Sequence, residues 1–314
     1  MRIGFFGTPS FAVRILEQLL SWPEGEVAVA VTQPDRPASR GRRMQASAVK
    51  KRAEQYGLPL AQPEKLDPAT ARDLLDQYAP DILVVAAYGL ILPADLLSSP
   101  PYGAVNVHAS LLPLYRGAAP IQRALLHGER VTGVTIMQME PGLDSGPILQ
   151  QRALAIGIHD TAATLHDQLA DMGGELLIDT LKKIPSQELV PLPQDEDRAC
   201  YAPKLTKAEG EIDWNHTAWR VHNRIQAVHP WPGAFFYWTR PDTGKQVRLR
   251  LFPGSIGPEK EESIKPGTLL ADEEGGLCIA CQDRLYEVHT IQPESAKPMG
   301  SEAFVRGYLK QDAG

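Results

Sequence analysis

The stretch between Gly103 and Gly146 constrains the fold of this chain more than any other part of the sequence. Its pattern predicts a strand, a loop, a helix, a second strand and a closing loop, in that order. In the first strand, valines alternate with Asn106 and His108. Because successive side chains of a strand point to opposite faces, the amide and the imidazole project from the same face. The second strand, residues 133–139, is apolar and leads into a glycine-rich loop that carries Asp144.

The positions of these three polar side chains indicate a ligand site. Asn106, His108 and Asp144 each lie at the end of a predicted strand or just beyond it. Ligands of an open parallel sheet bind beyond the carboxyl ends of its strands. An amide and an imidazole in a strand are more often polar residues whose hydrogen bonds are satisfied locally. Here the strand is otherwise apolar and a later loop supplies an acid, which favours a functional site.

An amide, an imidazole and a carboxylate suit the transfer of an acyl group to an amine. The tetrahedral oxyanion of that reaction needs a fixed donor, which the Asn106 amide can provide. The amine loses a proton and the leaving nitrogen gains one, and histidine is the type of side chain suited to this exchange, which points to His108. Asp144 can orient the imidazole, stabilise it as imidazolium, or help to take the proton of the amine. The sequence therefore predicts Asn106, His108 and Asp144 as catalytic residues.

Length and composition limit the other classes of function. The chain has 314 residues, more than one average domain, and its formal net charge of -6 provides no overall basic field. A polyanionic partner must therefore meet a local basic patch. Three cysteines are too few for a disulfide scaffold, and Cys278 and Cys281 lack the two further ligands of a zinc site. We expect buried thiols and no metal.

The beginning of the chain carries two further expectations. It opens on a predicted strand without a basic and apolar leader, and no apolar run is long enough for a membrane span. We therefore expect a cytoplasmic protein that does not contact a membrane. The first glycine turn lacks the pattern G-x-G-x-x-G, so a nicotinamide cofactor is not predicted.

The order of the predicted elements indicates an α/β fold. A strand, a glycine turn and a helix with Ser10 as N-cap open the chain, which is typical of a Rossmann-like, doubly wound, mainly parallel sheet. A later helix is predicted to begin at the cap Asp67, with proline in its first turn. The helical pattern of residues 161–183 is predicted to be interrupted or kinked near Gly173 and Gly174.

The periodicity fades from Pro185 to Lys207, where prolines and acids indicate an exposed linker. Beyond it, short strand-like runs separated by turn residues predict a small β-barrel. We therefore divide the chain into a catalytic domain (residues 1–189), a linker (190–206) and a C-terminal β-barrel domain (207–314).

One local basic patch stands out. Residues 35–44 have no hydrophobic period and form an arginine loop that contains Arg36, Arg40, Arg42 and Arg43. A solvated surface loop is the usual explanation of such a charge run. In an otherwise acidic chain a phosphate-binding loop is the better explanation, because the planar donor fork of arginine suits phosphate.

Several motifs resemble a known family. The runs N-V-H-A-S-L-L-P-L-Y-R-G-A-A-P-I-Q and G-L-D-S-G-P-I are similar to those of the folate-dependent formyltransferases. Three further runs resemble the members of that family that act on methionyl-tRNA: R-I-G-F-F-G-T-P-S-F-A-V, Q-P-D-R-P-A-S-R-G-R-R and Y-A-P-K-L-T-K-A-E-G-E-I-D-W. The resemblance covers nearly the whole chain and is thinner in the C-terminal domain.

The resemblance implies a reaction and its substrates. A formyl group passes from 10-formyltetrahydrofolate to the α-amino group of methionine on initiator methionyl-tRNA, for translation initiation. Asn106 would polarise the formyl oxygen, and His108 would carry the proton to the departing folate nitrogen. Asp144 would fix His108 and favour a deprotonated amine. Neither a metal nor an obligate protein partner is implied.

The resemblance also implies where the substrates bind. The arginine loop would grip the acceptor end of the tRNA, and the C-terminal domain would be an oligonucleotide-binding-like barrel. Two loops would line the folate pocket, with these residues: Tyr88, Gly89, Leu90, Ile91, Ser110, Leu111, Leu112 and Pro113.

Three alternatives remain open at the level of sequence. The first is a formyltransferase that acts on a small molecule, such as glycinamide ribonucleotide or a sugar amine, which needs neither arginine loop nor barrel. The second is a formyltetrahydrofolate hydrolase, in which water replaces the amine. The third is a tRNA-binding module with a vestigial pocket, against which the intact set of Asn106, His108 and Asp144 argues.

Overall fold

The computed structural model describes residues 1–38, 43–241 and 243–309 of the chain. These residues form two compact units. The first unit comprises residues 1–120, 131–155 and 166–202, and the second comprises residues 121–130, 156–165 and those from 203 onward. The second unit therefore includes two segments that lie within the predicted catalytic domain.

The chain up to residue 202 alternates strands and helices. Its strands are β1 (Arg2–Gly7), β2 (Glu26–Val31), β3 (Arg36–Ala38), β4 (Arg43–Gln45), β5 (Leu60–Ala61), β6 (Ile82–Ala86), β7 (Ala104–His108), β8 (Arg116–Gly117), β9 (Val131–Gln138), β10 (Ile148–Ala155) and β11 (Tyr201–Ala202). Its helices are α1 (Ser10–Ser21), α2 (Ala48–Gln55), α3 (Pro68–Tyr78), α4 (Ala94–Ser98), α5 (Pro120–His127) and α6 (Ala162–Lys183), followed by a one-turn 3-10 helix (Glu196–Arg198).

Seven strands form the main sheet of the first unit, in the order β10-β9-β7-β6-β1-β2-β5. The five strands from β7 to β5 in this order pair in parallel, and β6 and β7 are buried along their whole length. Strands buried on both faces are apolar throughout, as expected for a sheet covered by helices. The predicted Rossmann-like, mainly parallel sheet is confirmed.

The strand β9 pairs antiparallel with β7, and β10 pairs antiparallel with β9. The loop after β9 therefore starts near the beginning of β7, opposite Val105, and not beyond its carboxyl end. Our placement of all three site residues at one edge of a parallel sheet is wrong in this respect. The loop doubles back at Gly146, where a Cβ would collide with the carbonyl oxygen of Gln138. Glycine is needed there because the two backbones touch.

Two predicted helix details have opposite outcomes. Asp67 caps α3, since its carboxylate accepts a hydrogen bond from the Thr70 amide at 2.9 Å. Ser10 is not the cap of α1, which is wrong in our prediction. Pro9 occupies the N-cap position without a side-chain bond, and the Ser10 hydroxyl lies 3.3 Å from His166 Nε2 instead.

Helix α6 is continuous, so the predicted interruption near its two glycines is wrong. A Cβ on Gly173 would lie 2.8 Å from Val107 Cγ1, and one on Gly174 would lie 2.6 Å from Gln18 Cδ. These glycines permit close approach of α6 to β7 and α1. The cost of glycine within a helix, about 1 kcal/mol relative to alanine, is offset by this packing.

The segments on either side of the centre of the arginine loop form a pair of strands rather than an irregular loop. Strands β3 and β4 pair antiparallel, with Arg36 opposite Gln45. Two of the three cations that follow these strands are engaged in ion pairs within the protein. Lys50 lies 2.7 Å from Asp35, and Arg52 lies 2.8 Å from Glu17.

The second unit contains the remaining strands and helices. The strands are β12 (Ala234–Thr239), β13 (Gln246–Leu251), β14 (Ser255–Glu259), β15 (Leu269–Ala271), β16 (Leu277–Ala280), β17 (Arg284–Val288), β18 (Thr290–Pro293) and β19 (Met299–Gly300). The helices are a 3-10 turn (Ala208–Gly210), α7 (Ala218–Ala227), α8 (Ser301–Phe304) and a π-helical turn (Val305–Leu309). All strands pair antiparallel, in sheets β12-β13-β18-β19 and β14-β17-β16-β15.

Aromatic rings and thiols fill the core of the second unit. The Trp214 and Phe236 rings meet edge to face with centroids 5.3 Å apart, and the Tyr286 ring is fully buried. Cys278 and Cys281 are buried and unpaired, and burial raises their thiol pKa to about 11 and about 12. The predicted buried thiols are confirmed. Because their pKa values are raised, these thiols stay protonated and inert at neutral pH.

One histidine of the second unit is also buried. His222 on α7 is 1% exposed, and its Nε2 donates to the carbonyl oxygen of Ile158 at 2.6 Å. Burial lowers the pKa of His222, because the charged imidazolium loses its hydration. Within the described ranges of the chain, no helix is long and apolar enough to cross a membrane.

Candidate active site

His108 ends the buried strand β7, and its ring orientation is set by a backbone carbonyl. The ring is only 6% exposed, and Nε2 lies 3.0 Å from the carbonyl oxygen of Tyr115. Because a carbonyl oxygen only accepts, Nε2 carries the hydrogen in the neutral ring. The lone pair therefore resides on Nδ1, which lies 3.7 Å from Asp144 Oδ2. Nδ1 is the nitrogen that is ready to take up a proton.

The Asp144 carboxylate lies between the Asn106 and His108 side chains of β7 and the backbone of Gly117 in β8. Oδ2 accepts a hydrogen bond from the Gly117 amide at 2.8 Å, and Oδ1 accepts one from Asn106 Nδ2 at 3.3 Å. The Asp144 backbone has a φ of 51°, in the left-handed region that few residues other than glycine adopt. The structure thus brings together Asn106, His108 and Asp144, although they come from separate elements.

This arrangement suits proton transfer beside a developing oxyanion. Asn106 Nδ2 has two hydrogens, and its bond to Asp144 uses only one of them. The other can be donated to an acyl oxygen. An imidazolium formed at His108 Nδ1 would face a carboxylate that is mostly buried, with 17% of its side chain exposed. Electrostatic interactions are stronger in such surroundings than in water.

Sequence reasoning missed the residues that hold this cluster. The Tyr115 carbonyl and the Gly117 amide make direct contacts with His108 and Asp144. Both lie in the Y-R-G run of the quoted motif, which was the available signal. Their roles could not be inferred from side-chain type, because both act through backbone atoms.

The loop after β7, which was predicted to line the folate pocket, is held by internal hydrogen bonds. Ser110 Oγ donates to the Leu114 carbonyl at 2.6 Å. The Leu112 amide donates to Thr135 Oγ1 at 3.1 Å, and its carbonyl accepts from Gln151 Nε2 at 2.8 Å. These bonds fix the course of the loop beside His108.

The other predicted folate loop follows β6, the parallel neighbour of β7, so both loops leave the sheet at the same edge. The Tyr88 side chain is buried in the core, where its ring meets Phe6 edge to face, and burial raises its phenol pKa to about 12. Its contribution to a pocket is therefore limited to backbone. Leu90 and Ile91 expose 36% and 94% of their surface, which leaves apolar surface for a flat ring.

Only part of the predicted tRNA-contacting set lies among the described residues. Arg36 is exposed at the start of β3. Arg40 and Arg42 lie outside the described residues, and of Arg43 only the backbone is described. The grip on tRNA stays a prediction. Among the described parts of the chain, no group of three or more histidine, cysteine, aspartate or glutamate side chains could hold a metal ion.

Two family models match the chain. The model described as "Formyl transferase" matches residues 1–181, and "Formyl transferase, C-terminal domain" matches residues 204–309. A methionyl-tRNA formyltransferase of Nitratidesulfovibrio vulgaris (strain DP4) is 49% identical over 314 residues, which cover 100% of this chain and 95% of that protein.

Solved structures share the fold. An N-formyltransferase from Helicobacter canadensis, in complex with folinic acid and dTDP-3-aminofucose, aligns with a TM-score of 0.66 at 18% identity, over 95% of this chain and 99% of that one. HypX from Aquifex aeolicus, in complex with tetrahydrofolic acid, aligns with a TM-score of 0.63 at 19% identity, over 99% of this chain and 48% of that one. At these identities the likeness establishes the fold alone.

Proposed function

Because the chain belongs to the formyl transferase family, we propose that it transfers the formyl group of 10-formyltetrahydrofolate to the α-amino group of methionine on initiator methionyl-tRNA. The observation that carries the proposal is the cluster of Asn106, His108 and Asp144, with separations of 3.3 and 3.7 Å between their polar atoms. It supplies one oxyanion donor, one proton carrier and one counter-charge, which are the groups that formyl transfer to an amine requires. The choice of acceptor is supported by the 49% identical relative, whose similarity includes the C-terminal domain.

The reaction forms one carbon–nitrogen bond and breaks another. The amine nitrogen attacks the formyl carbon, whose oxygen accepts a hydrogen bond from Asn106 Nδ2. The bond between that carbon and the folate N10 then breaks. A free α-amino group has a pKa of about 7.7, so a substantial fraction is already neutral near pH 7.5.

The protein moves the proton between the two nitrogens. His108 Nδ1 takes the proton of the attacking amine, which makes the ring a cation held between the Tyr115 carbonyl and the Asp144 carboxylate. The same proton then passes to the departing N10, so the imidazole returns to its neutral form. Asp144 exchanges no proton in this scheme, and its carboxylate lowers the energy of the charged intermediate state of the ring.

The donor is a substrate whose site fits the exposed apolar surface after β6. Leu90 and Ile91 offer that surface, next to the rigid loop 110–113. A pterin ring needs both a flat apolar contact and backbone hydrogen bonds at its edge, and a loop of this kind offers both. We place the donor here, with its formyl group towards Asn106.

A small-molecule formyltransferase is the second candidate, favoured by the fold shared with an enzyme whose structure contains dTDP-3-aminofucose. One assay separates the candidates. The purified full-length protein is given the formyl donor with methionyl-tRNA, with an amino sugar nucleotide, or with no acceptor, and formylated product and free formate are measured. Formylation of methionyl-tRNA alone is expected, and His108→Ala should reduce it by roughly 10²–10⁴-fold. Formate without product would instead indicate a hydrolase.

A further inference from the structure

Among the described residues of the first unit, the most deeply buried charged side chain lies beside the candidate site and has no role in the mechanism above. Arg116 is only 1% exposed and is the largest fully buried side chain described. It donates from Nη1 and Nη2 to both carboxylate oxygens of Glu196, at 2.9 and 2.8 Å. Buried arginine is costly unless every donor is satisfied, so its retention here requires an explanation.

Gln194 connects this arginine to the Asp144 loop. Its Oε1 accepts hydrogen bonds from Arg116 Nε and Nη2 at 3.0 and 2.8 Å. Its Nε2 donates to the carbonyl oxygens of Asp144 and Gly146, both at 2.8 Å. Because a guanidinium only donates, it fixes which end of the Gln194 amide faces it. The amide nitrogen is thereby directed at the two carbonyls.

Asp144 is consequently held at two points by consecutive residues of β8. Its carboxylate accepts from the Gly117 amide, and its carbonyl is tied through Gln194 to Arg116. A positive φ is uncommon outside glycine, although aspartate adopts it more readily than most residues, and surrounding contacts help to maintain it at Asp144. The Gln194 bonds are contacts of that kind.

The residues that complete this arrangement come from the segment predicted as an exposed linker. Residues 194–202 lie between the two matched family regions, 1–181 and 204–309, and belong to neither. In the structure β11 pairs in parallel with β8, and the Arg116 amide donates to the Cys200 carbonyl at 2.9 Å. This segment is therefore part of the support of the site.

We infer that Gln194, held by Arg116 and Glu196, is a positioning residue that keeps Asp144 aligned with His108 and Asn106 during formyl transfer. The inference rests on the proposed function. Gln194 touches none of the reacting groups, and it acts through the backbone of the Asp144 loop. A displacement of about 1 Å in a catalytic group is enough to lower a rate by roughly 100-fold.

The variant Gln194→Glu isolates the donor arm of this side chain. A glutamate still accepts from Arg116, which preserves the ion pair of Arg116 with Glu196, but it presents oxygen to the carbonyls of Asp144 and Gly146. We expect kcat for methionyl-tRNA formylation to fall roughly 10- to 100-fold, with the KM for the donor within about threefold of the wild type. Gln18→Glu is the matched control, because Gln18 donates to the Asp171 carbonyl at 2.9 Å in a contact that involves no predicted site residue. Its kcat should be unchanged.

A double-mutant cycle with Asp144→Asn separates positioning from a general structural effect. If Gln194 acts through Asp144, the two substitutions are non-additive, and Gln194→Glu adds less than about threefold in the Asp144→Asn background. Multiplicative effects would overturn the inference. Glu196→Gln, at a side chain that is 67% exposed, is the milder variant if Gln194→Glu does not fold. Glu196→Gln should lower kcat by roughly threefold or more, because Arg116 is then held less firmly.

The outcomes distinguish this inference from the function on which it rests. A wild-type protein without formyl transfer to methionyl-tRNA would refute both. If the wild type is active and kcat of the Gln194→Glu variant is within about twofold of it, the positioning role alone is refuted. Where Gln194→Glu does not fold, the same result for Glu196→Gln refutes it.

Discussion

Replacement of Asp144 by asparagine tests the electrostatic part of the mechanism, because it removes the charge and leaves the size of the side chain nearly unchanged. Asp144 Oδ2 and His108 Nδ1 are 3.7 Å apart, a separation at which opposite unit charges attract by about 1 kcal/mol in water and about 4 kcal/mol at an effective dielectric constant of 20. The imidazole is buried and the carboxylate is 17% exposed, which places the site between these limits. We take about 2–3 kcal/mol, which corresponds to roughly 30- to 150-fold in rate.

The geometry of the substituted side chain adds to this effect. The oxygen that accepts from the Gly117 amide must remain an oxygen, so the new amide nitrogen faces Asn106 Nδ2. Two donors then oppose each other where a hydrogen bond existed. The Asn106 amide is displaced from the position it needs for the formyl oxygen, and the loss therefore concerns the chemical step.

The measurement is the single-turnover rate of methionyl-tRNA formylation at saturating donor. Asp144→Asn should lower this rate by at least the stated factor and leave the donor dissociation constant within about threefold. Asp67→Asn is the matched control, since asparagine caps a helix as well as aspartate and Asp67 lies at the start of α3. A rate in Asp144→Asn within threefold of the wild type would refute the role of the carboxylate.

Three further predictions concern binding, packing and pH. Arg40→Ala with Arg42→Ala should raise the KM for methionyl-tRNA but not for the donor, and should flatten the slope of log affinity against log salt by about one per lost phosphate contact; unchanged tRNA kinetics would contradict this. Gly173→Ala should lower the free energy of unfolding by about 1–3 kcal/mol, minus the gain in helix propensity, because its methyl group meets a buried valine. Gly174→Ala meets only a flexible side chain and should not destabilise the fold, and denaturant titration of both variants tests this difference. Burial lowers the pKa of His222, so its neutral form stabilises the fold above the unfolded value of about 6.5 and that contribution is lost as pH falls below it; His222→Gln should show a smaller drop in Tm between pH 7.5 and 5.5, and an equal drop would exclude this group.

Local sequence patterns determined much of the fold and part of the site. Alternation along β7 placed Asn106 and His108 on one face, because strand periodicity depends only on the backbone. The Asp67 cap followed from short-range hydrogen bonding, and the buried thiols followed from an apolar strand context. These features involve residues within a few positions of one another, so the sequence was sufficient for them.

Features that depend on long-range contacts were decided only by the tertiary structure. The antiparallel entry of β9 set the route by which Asp144 reaches Asn106. The continuity of α6 through its glycines reflects contacts with β7 and α1, which are more than 60 residues away in the sequence. The bonds that orient His108 and hold Asp144 use the carbonyl of Tyr115, just before β8, the amide of Gly117 in β8, and a glutamine about 50 residues beyond Asp144. A backbone carbonyl or amide is chemically the same at every position, so only packing can select which one serves a site.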